Sequence, residues 1–342
     1  MVNKMIQKII AFILGFFFIL STSNAAEVNI GSSAIQNRHH VVCGIDRNYK
    51  YLADKQNNEW TGFDVDICRA VAAATIGNAE SFKLIYVSKE NISTALNSGK
   101  VDIILGNHML SPKEEKDMFV LPVSPLYINK IIFAARTTKE ALSMKDYAHS
   151  KVCVLRNSPV QALLETYNQD HALGFNLLEL PTTASLKEAF YLKRCDLISG
   201  DEVFIKSIVI DLKNSDAEIL PEVIGYIPVR AYSSGYNSRF NTILNTILNS
   251  LKYAHQEHIS SQNIKTFKMS KNTAVQNLLG YNKNFWNSLS ISPQWATDYI
   301  SVYGNYNQLL EKNLGQLSVL ELDQKHNDLI ENGGFLTAIP LI

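Results

Sequence analysis

The sequence predicts an α/β protein of two units, each a mostly parallel, doubly wound sheet flanked by helices. Three observations carry this expectation. Short apolar runs alternate with helix-period stretches over residues 40–105, and the same alternation returns over residues 151–199. The chain has 342 residues, which suits about two domains at ~150 residues each.

The N-terminus reads as a cleavable leader over residues 1–26. Lys4 and Lys8 supply the positive region, Ile9 to Leu20 the apolar run, and Ser23-Asn24-Ala25 a small-residue cleavage site. The apolar run is short of the ~20 residues that span a bilayer, and no Cys follows it directly, so the mature chain is expected to be exported, soluble and without a lipid anchor. Residues 27–38 are polar. His40 to Ile45 reads as a strand, Asp66 to Ile76 as an amphipathic helix and Phe82 to Val87 as a strand. Glu90 to Ser98 follows as a helix, and Val101 to Leu105 as a strand ending at Gly106. In the second set, strands are expected at Lys151 to Leu155, Phe175 to Leu180 and Asp196 to Ser199, with helices at Val160 to Tyr167 and Ser185 to Leu192. Phe240 to His255 reads as one long amphipathic helix. Ligands of such sheets bind beyond the carboxyl ends of the strands, which makes Asp46 to Tyr51 and Gly106 to Ser111 candidate site loops.

Lys+Arg and Asp+Glu are both 32. With no net charge and no basic run interleaved with aromatics, nucleic acid is not an expected partner. Cys43, Cys68, Cys153 and Cys195 are an even set in an exported chain, which suggests disulfides, and four cysteines allow three pairings. No Cys-x-x-Cys and no zinc-like His spacing is present, so neither metal nor cofactor is expected. His39 and His40 are adjacent before a strand and cannot both face one site. No Ser-His-Asp order, phosphate loop or His-Glu-x-x-His motif occurs.

Trp60 to Ala72, WTGFDVDICRAVA, resembles the opening signature of the periplasmic solute-binding proteins of amino-acid ABC importers, family 3. A hairpin turn near Asn57 to Thr61 precedes it. Gly62 permits a tight turn, and Asp64 can cap the helix that follows. Tyr303 to Gly315, YGNYNQLLEKNLG, with Gly333-Gly334-Phe335 and Ile339-Pro340, is similar to the C-terminal extension of the general L-amino-acid-binding branch. The resemblance covers residues 40–341. It implies a two-lobed periplasmic-binding-protein fold, type II-like, with a C-terminal helical extension. The expected division is lobe 1 over 38–134, lobe 2 over 135–228, a return to lobe 1 over 229–268 and the extension over 269–342. Crossings are expected near Ala134–Thr138 and Ile227–Tyr232. The extension is expected to cap one lobe without touching ligand. The resemblance also favours the pairings Cys43–Cys68 and Cys153–Cys195, one in each lobe.

Burying a free amino acid requires a carboxylate for its ammonium and donors for its carboxylate. The resemblance implies that Asp201, with Asp46 and Tyr49, forms the ammonium and side-chain half. The carboxylate half departs from the family. Counted from Asp102, Ser111 takes the place of the family's Thr and Glu114 that of its Arg; counted back from Tyr127, Lys113 takes the Arg place. Asn157-Ser158-Pro159 replaces a donor triplet, and Pro159 has no N–H to give. Ser158 can still bond through its hydroxyl, Arg156 is a candidate replacement cation, and Lys89 can pair with an acidic group. Asn107 and His108 lie in the candidate loop, and His108 can titrate near neutral pH. The implied function is a monomeric receptor that closes on an amino acid or related amine-bearing solute and docks on a membrane permease. Rival classes are an exported partner-binding module and a cyclic-acid dehydratase-like enzyme using Glu114 or Glu202.

Overall fold

Val41–Ile45 forms β1, and all five residues are buried, as a strand covered on both faces requires. A computed structural model of the chain describes residues 31–136, 143–212 and 217–342. The leader read at residues 1–26 lies outside the described residues.

A short helix, α1 (Ser32–Arg38), precedes β1. A hairpin of β2 (Asp54–Gln56) and β3 (Glu59–Thr61) follows. Its turn residues Asn57 and Asn58 have φ of 50° and 72°, the positive pair that a two-residue turn matching strand twist needs. Then come α2 (Phe63–Ile76), β4 (Phe82–Tyr86), α3 (Ile92–Asn97), β5 (Ile103–Ile104), α4 (Pro112–Met118) and β6 (Val120–Pro122). The second set is β7 (Tyr127–Arg136), β8 (Lys151–Leu155), α5 (Pro159–Asp170), β9 (Asn176–Leu180), α6 (Thr183–Tyr191), β10 (Leu197–Asp201), α7 (Glu202–Asp211) and β11 (Ala217–Val229). The chain returns through β12 (Tyr232–Ser234) and α8 (Ser238–Gln256). It closes with α9 (Thr273–Leu278), α10 (Lys283–Ser288), α11 (Trp295–Tyr303) and α12 (Tyr306–Asn313).

These strands make two five-stranded sheets, β4-β1-β5-β12-β6 and β11-β7-β10-β8-β9. β1 pairs in parallel with β4 and β5, and β8 in parallel with β9 and β10. The antiparallel pairs come from strands next to the crossings, namely β12 with β5 and β6, and β7 with β10 and β11.

The first crossing differs from expectation. Residues 127–134 are expected in the first lobe, yet β7 pairs along its length with β11 and along residues 131–135 with β10 in the second sheet. The crossing therefore lies at residues 123–126. There Val123 N–H donates to Ala231 O at 2.8 Å and Leu126 N–H to Val229 O at 2.7 Å. The two crossings are thus hydrogen-bonded to each other. Apolar periodicity in β7 carries no mark of which sheet it joins, because a strand buried on both faces reads the same in either.

α2 starts earlier than expected, at Phe63, with Gly62 as its N-cap. Asp64 is therefore inside the first turn and makes no capping bond, contrary to the role read from sequence. Gly62 has φ 127°, and a Cβ there would meet Leu52 O at 2.3 Å, so both conformation and space demand glycine. Nor is α2 amphipathic: twelve of its residues, Asp66 among them, are buried. The extension accounts for this. Tyr299 O–H donates to Asp66 O at 2.7 Å, while Lys312 Nζ and Asn313 Nδ2 reach Asp66 Oδ2 at 3.1 and 2.8 Å. Arg69 completes the set, bonding Asp66 at 3.1 Å and Glu80 at 3.0 Å. The polar stripe that would face water on a bare lobe is instead a buried, paired network.

The extension also exceeds the one-lobe cap expected of it. Beyond α12, Asn327 Oδ1 accepts from Ile128 N–H at 2.6 Å, and Lys130 Nζ donates to Asp323 O at 3.0 Å. Ile128 and Lys130 belong to β7, so the tail grips the second sheet while α11 and α12 hold the first lobe.

Cys43 is bonded to Cys68, joining β1 to α2, and Cys153 to Cys195, joining β8 to the approach to β10. The bridges close loops with sequence separations of 25 and 42 residues, each worth about 3–4 kcal/mol by chain entropy. Replacing both Cys43 and Cys68 by Ser is expected to lower unfolding stability by about that amount, read from urea denaturation; an unchanged midpoint would contradict the role given to the bridge.

Candidate functional site

β10 ends at Asp201, which is the N-cap of α7 and accepts from Phe204 N–H at 3.0 Å. The same Oδ1 accepts from Asn129 Nδ2 at 3.0 Å, and Oδ2 accepts from the Tyr49 hydroxyl at 2.7 Å. Tyr49 follows β1 in the first lobe, Asn129 lies on β7 in the second, and Asp201 is 2% exposed. The carboxylate is therefore a buried point at which the two lobes touch. Lys50, next in sequence, makes a second bridge to Asp211 at the end of α7, at 2.5 Å.

Burial raises the Asp201 carboxyl from its ordinary 3.8 to about 6, against the three donors that hold it down. Burial first and the Asp201 charge second push the Tyr49 phenol well above its usual range, so it remains a donor. Asp64 is also fully buried. Burial, and then the nearby charge of Asp46, raise its carboxyl well above the ordinary range; the Gly106 N–H opposes this without a well-formed hydrogen bond to either oxygen. Tyr127 lies among these acids: after burial, the charges of Asp64, Asp201 and Glu202 raise its hydroxyl, which has no hydrogen-bond partner among the described residues.

The loop after β5 supplies the neighbouring wall. Gly106 turns with φ 92°, and a Cβ there would meet Asp46 Cβ at 3.1 Å and His108 Nε2 at 3.4 Å. Asp46 Oδ1 accepts from Asn48 N–H at 2.8 Å, and Oδ2 lies 3.8 Å from His108 Nδ1. Burial is the largest effect on His108 and lowers its pKa, favouring the neutral ring. Asn107 is 4% exposed with neither amide atom hydrogen-bonded, an uncommon state for a buried amide.

The carboxylate half takes a form the sequence only hinted at. Ser111 caps α4, and Glu114 Oε2 accepts from both Ser111 N–H at 2.8 Å and Ser111 Oγ at 2.9 Å. Lys89 pairs with the other Glu114 oxygen at 2.7 Å. The chain thus places its own carboxylate on the helix start and on the nearby cation, the two devices that would otherwise receive an anion. Lys113 points outward, pairing with Asp117 at 2.8 Å with 85% of its side chain exposed. Arg156 is turned to Glu179 at 3.4 Å and is half exposed. Ser158 caps α5 and donates to Leu155 O at 2.7 Å, so its hydroxyl is engaged, and Pro159 is the first residue of that helix.

Between the lobes lies a cleft of about 470 Å³. Leu110, Ser111 and Tyr232 line it from the first lobe, Asn157 and Ser158 from the second, and Arg230 from the second crossing. Among the residues read from sequence, the structure joins Tyr49 to Asp201 and sets Asp46 beside His108, pairs Lys89 with the Glu114 that accepts from Ser111, and puts only Ser111 and Ser158 among the residues that line the cleft. Lys113 and Arg156 stand apart. Sequence reasoning missed Asn129, Tyr127, Arg230 and Tyr232. Arg230 lines the cleft and pairs with Glu115 at 3.1 Å; Tyr232 accepts from Leu110 N–H at 3.2 Å. A lone Asn within the apolar run YINKIIFAA was the available signal for Asn129. Nothing local marks Arg230.

Residues 41–277 match the family described as bacterial extracellular solute-binding proteins, family 3. Over 338 residues the chain is 26% identical to the putative amino-acid ABC transporter-binding protein YhdW of Escherichia coli strain K12, covering 98% of this chain and 99% of that protein. It is 25% identical over 329 residues to the general L-amino acid-binding periplasmic protein AapJ of Rhizobium johnstonii, covering 93% and 96%. A solved ABC transporter periplasmic binding protein from Brucella ovis, with glutathione bound, has a TM-score of 0.82 at 24% identity over 91% of this chain and 99% of that one.

Holding Asp201 at about 6 instead of its ordinary 3.8 costs the ligand-free fold roughly 3 kcal/mol at neutral pH. Between those values the folded chain keeps a proton that the unfolded chain has lost, so stability falls as pH rises through that window and levels above it. Asp201→Asn keeps a capping side chain and is expected to flatten this part of the stability–pH profile. An unaltered slope in the variant would show that Asp201 is not the group responsible.

Proposed function

The chain belongs to the bacterial extracellular solute-binding proteins, family 3, and we propose that within this family it is a periplasmic receptor for an amine-bearing solute. The solute seats its ammonium against Asp201, with Asp46 and Tyr49 beside it. Closure of the two lobes buries it, and the closed form docks as a monomer on the permease of an ABC importer. No covalent chemistry is involved.

The observation that carries the reading is the contrast between the two halves of the site. Asp201 is a buried carboxylate whose donors come from both lobes. An ammonium arriving there replaces an unfavourable buried charge with a paired one. On the other side, Glu114 already accepts from Ser111 and from Lys89, and Pro159 lacks an N–H. A free α-carboxylate would have to displace Glu114 or lie beside it. Solutes whose carboxylate is absent, blocked or distant from the amine fit this arrangement better than ordinary L-amino acids. Asn157 on the second-lobe wall of the cleft, and Arg230 at the crossing beside Glu115, are polar groups that the rest of the solute would meet there.

Thermal unfolding of the oxidised chain lacking its first 26 residues tests this, because a ligand raises the transition by mass action. The panel comprises the standard amino acids, polyamines, carboxyl-blocked amino acids and small peptides, glutathione included. Amines, blocked amino acids or peptides are expected to raise the transition, and Asp201→Asn to abolish the rise. A response confined to ordinary L-amino acids would overturn the preference for altered solutes, and a response unaffected by Asp201→Asn would overturn the ammonium site.

Two further outcomes follow. Affinity for the amine should weaken as pH falls below about 6, approaching tenfold per pH unit, because Asp201 must then lose a proton to bind. Glu114→Gln should free the Ser111 amide and Lys89 from a competing charge and improve binding of ordinary L-amino acids about tenfold, measured by calorimetry.

A further inference from the structure

A second cavity, of about 300 Å³, lies against the crossings and shares no lining residue with the cleft. Its walls come from Pro125 of the crossing segment and Ile128 of β7, from α8, and from the tail at Phe335 and Ile339. Lys252 of α8 lines it and is 8% exposed. Its ammonium donates to Pro125 O at 2.5 Å and lies 5.5 Å from the centroid of the Tyr306 ring. No carboxylate pairs with it among the described residues. An ammonium has three donors, so two are left without a hydrogen-bond acceptor among the described residues. Tyr127, also a lining residue, is 2% exposed with its hydroxyl unpartnered.

A buried cation with spare donors and no counter-ion is costly, and an anion that enters with it offsets that cost. One cation is too little for a phosphate dianion, which draws several charged donors. The rest of the wall is largely apolar, and the volume is at the small end of ligand sites. We propose that this cavity is a second binding site, for a small monocarboxylate with an apolar body, whose carboxylate is held by Lys252. Burial alone lowers the free lysine to about 8, and a bound carboxylate would favour the charged form. Pro125 lies in the first crossing and Ile128 just beyond it in β7, so an occupant bears on the hinge, and Tyr127 joins the cavity to the acids around Asp201.

The test is calorimetric titration of the oxidised, leader-free chain with hexanoate, and with hexanol and inorganic phosphate as controls. Hexanoate is expected to bind, with hexanol and phosphate at least tenfold weaker. Lys252→Met, which keeps an unbranched buried side chain, is expected to weaken hexanoate at least tenfold. A measurement on the unaltered chain guards against a misfolded variant. Acetylation at about pH 8, near the lysine's own pKa, should modify Lys252, and hexanoate should slow it there but not at exposed Lys113. Absence of hexanoate binding at millimolar concentration, equal binding to Lys252→Met, or unprotected labelling at Lys252 would each overturn the site.

Discussion

The structure depends on one constraint: the chain passes between its two sheets at residues 123–126 and 229–231, and these passages are hydrogen-bonded to each other. Each sheet folds on its own side, with its own disulfide. The angle between them is set by a few backbone torsions at the passages and by whatever bonds span the gap. β7 and β12 run antiparallel to their neighbours because they are the strands that enter and leave. The carboxyl ends of β1, β5, β8 and β10 consequently supply the loops that meet across the cleft. A ligand held there touches both lobes and biases their angle through its differential contacts.

Asp201 shows how one buried acid can tie folding to function. It caps α7, accepts from Asn129 within its own lobe and accepts from Tyr49 in the other. The helix start and the two side-chain donors would lower its pKa, yet burial outweighs them. The result is a carboxylate that is well positioned and incompletely compensated, the state from which an arriving cation gains most. Glu114 is the opposite case. Its charge is spread over Ser111 and Lys89, and its carboxyl is held below the ordinary range despite some burial. Asp201 is thus an acid in need of a partner, whereas the helix start at Ser111 and the Lys89 ammonium are donors that already have one.

The C-terminal extension changes what the first lobe is. Without it, Asp66 and Arg69 of α2, with Glu80 of the turn that follows, would be a solvated ion-pair cluster of small energetic consequence. With it, Asp66 is enclosed by Lys312, Asn313 and the Tyr299 hydroxyl, and α2 becomes a central helix. The tail continues to Ile128 and Lys130 of β7, so it spans the line about which the lobes move. Movement must either carry these bonds along or break them.

Much of this was legible in the chain itself. The alternation of strand and helix, the turn at Gly62, and the placement of Asp46, Tyr49 and Asp201 at strand ends follow from periodicity, local backbone preference and motif, whereas Ser111 and Ser158, read as ligand contacts, are helix caps. These depend on residues a few positions apart. The replacement of an arginine by Glu114 and of a donor by Pro159 was equally visible. Tertiary structure decided the rest: that β7 joins the second sheet, that Asp64 is interior and not a cap, that Arg156 turns to Glu179, that Asn129 bonds Asp201 while Arg230 lines the cleft, and that the tail crosses to the second lobe. Each of these is a contact between segments far apart in sequence. Hydrophobic pattern specifies that a strand or helix is buried, but it does not name the surface that buries it, and a side chain's partner is set by geometry that only the assembled fold supplies.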